Sequence, residues 1–327
     1  MNYREFGNTG MKVSEISLGT WQLGGKWGAD YDGQTALKTM ETAYEQGINF
    51  YDTADGYNDG ESERSIGKFL KGKEGKVFVA TKCGRKITPH VAAGYTPQAI
   101  IRYTEDSLKR LGVETLDLIQ LHCPPTDVFY RPEIFESLQK LRQEGKIRHF
   151  GVSIERVEEG LKAMEYEGMS SIQVIYNMFR QRPDELLFPL AKKKGVAIIC
   201  RVPLASGLLT GKFTADSVFG KSDHRFFNRN GEAFDKGETF SGVDYQLGLK
   251  AVDELKKLFG ADRLTIYALR WILMQDAVSC VITGASSPDQ IKQNVEASQL
   301  PALTKEQMDR VRLVYEQYIR NPVHFLW

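Results

Sequence analysis

The sequence predicts an α/β fold, a (β/α)8 barrel of the TIM type with a long insertion after the seventh strand and a closing C-terminal helix, and three observations carry it. Eight short runs rich in β-branched and aromatic residues recur along 327 residues, and segments of helical period separate them. The runs are also apolar on both faces, as strands are when they pair in parallel beneath covering helices. Eight such units close into a barrel more readily than into an open sheet.

Taken in order, the strand runs are EISLGTW (15–21), NFYDTA (49–54), KVFVATKC (76–83), LDLIQLH (116–122), RHFGVSI (148–154), IQVIYNM (172–178), VAIICRVPL (196–204) and SCVITGA (279–285). Between the first two, QTALKTMETAYEQG carries Ala36, Leu37, Met40, Ala43, Tyr44 and Gly47 on one helical stripe, with Gly47 as the stop. Thr96-Pro97 opens a second helix with Ile101, Thr104, Leu108 and Leu111 on one face, and Pro132 opens a third. The seventh unit is longer. It adds a polar, Gly-rich stretch from Lys212 to Gly242 and two helical patterns, DYQLGLKAVDELKKLF and TIYALRWILMQ; an insertion on that side of a barrel can act as a lid. After strand eight, Thr304 and Gln307 form a capping box for KEQMDRVRLVYEQYI. No linker-like change of composition appears, so one domain over 1–327 is expected.

Bulk properties narrow the function classes. The formal charge is +1, from 43 Lys plus Arg against 42 Asp plus Glu, and gives no general attraction to nucleic acid or to an anionic membrane. The N-terminus MNYREFGNTG has no apolar signal core, and the longest apolar runs are far too short to span a bilayer, so a cytoplasmic protein with a small-molecule partner is expected. Cys83, Cys123, Cys200 and Cys280 show no CxxC spacing, and neither a metal site nor a disulfide framework is predicted.

In a barrel of this type chemistry sits at the C-terminal ends of the strands. Asp52 ends strand two, Lys82 strand three and His122 strand four, while Tyr57 follows Asp52 in the next loop. A strand-end Asp alone is commonly a turn former, and a Lys alone a surface residue. Three successive strands ending in Asp, Lys and His are harder to assign to packing, because such a cluster is costly to desolvate unless paired. A Lys ammonium beside Tyr57 would favour the phenolate and lower its pKa, making it a usable acid and base. Asp52 would hold Lys82 charged, and His122 would donate to a carbonyl oxygen. The arrangement suits hydride addition to an aldehyde or ketone, the hydride coming from a bound cofactor.

No GxGxxG follows the first strand, which argues against a Rossmann site. A helix start at Ser286-Ser287-Pro288-Asp289-Gln290, with Ser287 as N-cap, Pro288 at the first position and Gln290 completing a box, offers free amides to a phosphate. PLASGLLTGK after strand seven is a second candidate, its small residues admitting a pyrophosphate, and the insert beginning at Lys212 would fold over it.

These residues resemble the aldo-keto reductase superfamily over nearly the whole chain. GNTGMKVSEISLGTW looks like its N-terminal hairpin and first strand, DTADGYNDGESERSIG like its Asp–Tyr signature, ATKCG like its lysine strand and LDLIQLHCP like its histidine strand. The resemblance implies a catalytic tetrad of Asp52, Tyr57, Lys82 and His122 and a bound NADPH, with NADH as the alternative. It places nicotinamide-side contacts at Gly19, Thr20, Trp21, Asp52, Ser153 and Gln173. Pyrophosphate contacts would fall on Pro203, Leu204, Ser206 and Leu209, with Lys212 beside them, and adenosine-side contacts on Gly284, Ser286, Gln290, Gln293 and Asn294. Ile154 stands where the family usually has Asn, and Arg201 where an aromatic often stacks on nicotinamide. A guanidinium plane can stack in its place. Gln290 replaces an Arg that commonly grips the 2′-phosphate, and Lys292 is nearby to compensate. Trp21, Trp27, Tyr57 and His122 would line an aromatic, partly polar pocket for a sugar-like or small aromatic carbonyl.

Two other readings stand beside this one. A nucleotide-binding, redox-sensing regulatory subunit, as in the potassium-channel β subunits that resemble the family, would bind cofactor and turn over poorly. A Schiff-base lyase would use Lys82 as nucleophile, but needs a neutral amine that a neighbouring Asp52 disfavours.

Overall fold

The computed structural model describes residues 1–23, 31–73 and 75–327; Trp27, expected at the substrate pocket, lies outside the described residues. Two short antiparallel strands, β1 (Tyr3–Glu5) and β2 (Lys12–Ser14), form a hairpin. The eight expected barrel strands follow as β3 (Ile16–Gly19), β4 (Phe50–Asp52), β5 (Phe78–Cys83), β6 (Leu116–His122), β7 (Ile147–Ser153), β8 (Met169–Ile175), β9 (Ala197–Arg201) and β10 (Val278–Gly284). Each pairs in parallel with the next and β10 returns to β3, closing the barrel.

Because successive strand residues point to opposite faces, the inward set is every second residue. At the floor this set is apolar: Phe50, Ala80, Leu118, Ala197, Ile199, Cys280 and Ile282 pack with Phe6, Met11 and Val13 of the hairpin region, which plug the barrel from below. Two residues further along the same strands the inward positions turn polar, at Asp52, Lys82, Gln120 and Arg201, and His122 follows two residues beyond Gln120. The outward set, including Tyr51, Val79, Ile119, Leu121, Ile198 and Val281, belongs to the larger core shared with the helices. Inside, β7 and β8 approach so closely that a Cβ on Gly151 would lie 2.1 Å from Ser171 Oγ and 2.5 Å from its carbonyl oxygen.

The surrounding helices are α1 (Gly33–Glu45), α2 (Glu61–Phe69), α3 (Pro97–Leu111), α4 (Pro132–Gln143), α5 (Val157–Ala163) and α6 (Leu187–Lys194). The Thr96 side chain caps α3 at Ala99 N, Pro97 takes the first position, and Gly112 ends it with φ +68°. The buried stripes sit slightly off those expected. In α1 they are Ala36, Thr39, Met40, Thr42 and Ala43, with Leu37 exposed; in α3 they are Ile100, Thr104, Ser107 and Leu111, with Ile101 and Leu108 only half-buried. Small residues at the seam let these helices lie close to the strands, so the larger apolar side chains flank the contact.

After β9 come α7 (His224–Phe227), α8 (Tyr245–Phe259) and α9 (Leu264–Leu273); after β10 come α10 (Pro288–Gln299), α11 (Lys305–Val314), a π-helical turn at 315–319 and α12 (Arg320–Val323). The 212–242 insertion is polar in composition but not wholly exposed: Asn228, Thr239, Phe240, Ser241 and Gly242 are buried. Asn228 anchors it through its own side chain, which accepts from Ala233 N and Phe234 N at 2.8 Å. The Thr304–Gln307 box forms as expected. The one at Ser287 does not: Ser287 is the N-cap but its side chain caps nothing, and Gln290 Oε1 accepts instead from Ser286 N at 2.8 Å, one residue earlier. All four cysteines are buried and free. No helix among the described residues is long and apolar enough to cross a membrane.

Candidate active site

The ends of β4, β5 and β6 bring Asp52, Lys82 and His122 to one mouth, and the next turn brings Tyr57 over it. Asn58, Asp59 and Gly60 all have left-handed φ (46°, 50° and 85°), a conformation Asn, Asp and Gly tolerate best. That reversal turns the chain back toward the barrel, and the Asp59–Lys86 pair at 2.7 Å ties it to the loop after β5.

Lys82 is the hub. Its ammonium lies 2.5 Å from Asp52 Oδ1, 2.8 Å from the Thr53 carbonyl and 3.3 Å from the Tyr57 hydroxyl, and the side chain is 1 % exposed. Burial acts to lower the Lys82 pKa, but Asp52 and Tyr57 outweigh it and hold the ammonium above its ordinary value. Asp52 is held from behind: Gln173 Nε2 donates to Oδ2 at 2.8 Å and Gln120 Nε2 at 3.4 Å, while Thr20 N and Oγ1 both donate to the Asp52 carbonyl at 2.9 Å. Gln120 was not singled out in the sequence, although its place two residues before His122 on the same strand face marks it.

Tyr57 departs from expectation. Burial raises its pKa, the Lys82 ammonium opposes that rise, and Asp52 adds to it; the net shift is upward, not downward. The main reason is the burial of the phenol, and the Asp52 carboxylate 2.5 Å from the Lys82 ammonium adds to it. Tyr57 therefore rests as a phenol, carrying the proton. His122 is held neutral: burial, then the Lys82, Arg85 and Arg201 cations, push its pKa well below the ordinary imidazole value. Its ring stands edge-on to Tyr57 at 5.8 Å between centroids.

Residues around the tetrad form an aromatic wall on one side and a charged rim on the other. Trp21 stacks near Tyr57 at 6.2 Å and meets His224 and Phe234 of the insertion at 5.3 and 6.4 Å. Burial pushes His224 down to about 4, so it serves as a neutral aromatic. On the rim, Arg201 Nη2 lies 3.0 Å from Glu155 Oε1 and donates to the Ile154 carbonyl at 3.2 Å, and Arg201 Nη1 is 3.7 Å from Glu238 Oε2. Arg85 Nη2 is 3.4 Å from Glu238 Oε1. Burial pushes Glu155 up to about 8; burial acts the same way on Glu238, but Arg201 and Arg85 hold it below the carboxylate range. Arg85, Glu155 and Glu238 had no motif to announce them, because the ion pairs that matter join three separate loops.

The remaining expected contacts line the same end of the barrel. Ser153 faces Cys123 Sγ at 3.4 Å, and Gly284 pairs with Gly19. Pro203 is buried and Leu204 half-buried, and the Leu209 amide donates to the Leu204 carbonyl at 3.1 Å. Ser206 Oγ donates to the Glu238 carbonyl at 2.9 Å and accepts from Phe240 N at 3.1 Å, while Lys212 is exposed. On α10, Gln290 is exposed, Gln293 half-buried and Asn294 buried; Lys292 lies 3.9 Å from Asp289. Burial raises Cys123 far above an ordinary thiol, which argues against a Cys–His nucleophile.

Of the buried polar atoms left without a hydrogen bond among the described residues, His122 Nδ1, Gln120 Oε1 and Arg201 Nε belong to this mouth. Each such atom costs about 1–3 kcal/mol, and a polar ligand would relieve it. A carboxamide-bearing nicotinamide has donors and acceptors that fit.

The aldo/keto reductase family matches residues 15–316. Among curated relatives, the aldo-keto reductase YhdN of Bacillus subtilis is 32% identical over 99% of this chain and 96% of its own, and the NADH-specific methylglyoxal reductase of Escherichia coli is 32% identical over 89% and 91%. The glycerol dehydrogenase AKR11B4 of Gluconobacter oxydans has a similar structure, with a TM-score of 0.79 and 31% identity over 99% of this chain and 98% of its own. The chain belongs to the aldo/keto reductase family, whose members are nicotinamide-dependent carbonyl oxidoreductases.

Proposed function

We propose that this protein reduces aldehydes or ketones to alcohols reversibly, with Tyr57 as proton donor, Lys82 and Asp52 as its electrostatic support and His122 as hydrogen-bond donor to the carbonyl oxygen. The observation that carries this is the position of Lys82 Nζ, 2.5 Å from Asp52 and 3.3 Å from the Tyr57 hydroxyl. NAD(P)H supplies the hydride when bound. As negative charge grows on the substrate oxygen, neutral His122 donates to it and Tyr57 releases its proton; the nearby ammonium then stabilises the phenolate left behind. The Trp21, His224 and Phe234 rings, in contact with one another, form one side of this mouth.

NADPH is the first expectation for the cofactor. The exposed Gln290 and the Lys292–Asp289 pair offer a 2′-phosphate little dedicated charge, which supports NADH as an alternative, as does the name of the Escherichia coli relative. The wall of aromatics beside a charged rim favours small, polar or sugar-like carbonyls. A Schiff-base role for Lys82 is disfavoured because its ammonium is held above the ordinary value.

The test is Tyr57→Phe. Carbonyl reduction followed by nicotinamide absorbance should fall at least about a hundredfold, the usual worth of a positioned general acid, while NADPH and NADH titrations by fluorescence stay within twofold or so of the parent protein. Turnover retained in the variant would remove Tyr57 from the role of acid.

A further inference from the structure

Trp327, the last residue of the sequence, is 6 % exposed and touches several of the segments that shape the charged rim. Its indole Nε1 donates to Asp235 Oδ1 at 2.7 Å. The same oxygen accepts from Gly237 N at 2.7 Å, which opens the single turn Lys236–Glu238. At the end of that turn the Glu238 carboxylate reaches Arg201 and Arg85. The other face of the connection runs through Arg180: its guanidinium carbon sits 4.0 Å from the Trp327 ring centroid, and its Nη2 donates to the Glu155 carbonyl at 3.0 Å. The Trp327 carbonyl accepts from Arg182 Nη1 at 2.6 Å.

The insertion is shaped to receive this ring. A Cβ on Gly242, whose φ is +77°, would lie 2.3 Å from Cη2 of the indole, and one on Gly237 would lie 3.0 Å from Cε2. Both are glycines, so the ring lies directly on the backbone. On the inner side the same stretch is fastened by Ser206, which bonds the Glu238 carbonyl and the Phe240 amide, and by Asn177 Nδ2, which donates to Ser241 Oγ at 2.8 Å. Residues 235–242 are thus a strap pinned from outside by one indole and from inside by Ser206 and Asn177.

We propose that Trp327 is a positioning residue: through Asp235 it pins the 235–242 strap so that Glu238 meets Arg201 and Arg85 at the mouth, and it thereby sets how firmly the dinucleotide is retained. The retention half of this rests on the reading of the mouth as a nicotinamide site; the pinning half does not. Trp327→Phe keeps a smaller aromatic ring under Arg180 but removes the Nε1 donor together with part of the indole that lies on Gly237 and Gly242. Asp235→Ala removes the acceptor.

Hydrogen exchange on the cofactor-free protein tests the pinning. Amides of Thr239 to Val243, beyond Gly237 whose own bond to Asp235 Oδ1 is also lost in Asp235→Ala, should exchange roughly tenfold faster in Trp327→Phe and in Asp235→Ala, no faster in the double variant than in Asp235→Ala, and unchanged in the barrel strands, as expected when the hydrogen bond from the indole is lost. Parent-like exchange of this stretch in both single variants would overturn the proposal. Cofactor titration tests the retention: Trp327→Phe should weaken NADPH binding about threefold to tenfold in the parent background and have no further effect in Glu238→Gln, since the two act in series. Additive losses would mean that Trp327 acts only through general stability, and would overturn the positioning role. A parent protein that binds no nicotinamide nucleotide would instead sink the reading of the mouth, leaving the exchange result to decide the pinning.

Discussion

At the scale of single residues, the tetrad shows how burial and pairing compete for each proton. Lys82 stays charged because its partner is a carboxylate at 2.5 Å; Tyr57 stays protonated because its burial outweighs the Lys82 cation, with that same carboxylate adding to the rise. The sequence shows the residue types but not the depth at which they sit, so it placed the Tyr57 shift in the wrong direction. Asp55, in the same signature, is a second case. It is fully buried, neither of its oxygens has a hydrogen-bond partner among the described residues, and burial with Glu63 nearby pushes its pKa up to about 7 against Arg110 and Lys86. The folded protein therefore holds a proton there that the unfolded chain has released above about pH 4, and stability falls as pH rises from 4 to 7. Between those limits the parent protein should lose on the order of 2–4 kcal/mol relative to Asp55→Asn, read from denaturant unfolding at several pH values. Parallel pH profiles for the two proteins would show that Asp55 ionises normally.

At the scale of elements, caps and periods predicted what is local and missed what depends on neighbours. The Thr96 and Thr304 caps form where their side chains and following residues place them. The stripe of α1 differs from the apolar pattern because the closely packed seam takes Ala36 and Thr39 and leaves Leu37 at its border. Gly151 is the clearest tertiary demand on a strand residue: nothing in FGVS announces that β8 lies against it. Gly151→Ala should destabilise by roughly 2 kcal/mol or more, since overpacking at this contact meets a carbonyl as well as a hydroxyl. Ser171→Gly in the same chain should recover only part of the loss in thermal midpoint, because the backbone contact at 2.5 Å remains. An unchanged midpoint in Gly151→Ala would show that β7 and β8 can separate at little cost.

At the scale of the molecule, the barrel keeps stability at one end and chemistry at the other. The hairpin region plugs the floor with Phe6, whose ring is 5.2 Å from that of Phe50, and Arg4 fastens it by donating to the carbonyls of Leu273, Gln275 and Val278. Phe6→Ala should cost about 3–5 kcal/mol in unfolding experiments while leaving carbonyl reduction near the parent rate well below the melting temperature. A large loss of turnover in a variant that is still folded would mean that floor and mouth are coupled through the strands.

The sequence by itself determined the eight strands, the helices between them, and Asp52, Lys82 and His122 at the ends of three successive strands, because hydrophobic period and residue type are local properties that one chain segment carries alone. Only the tertiary structure decided that Gln120 and Gln173 hold Asp52, that burial outweighs the cation at Tyr57, and that Glu238 crosses from the insertion to pair with Arg201 and Arg85. Those outcomes depend on distance and desolvation between segments 25 or more residues apart, and neither quantity exists until the barrel has closed.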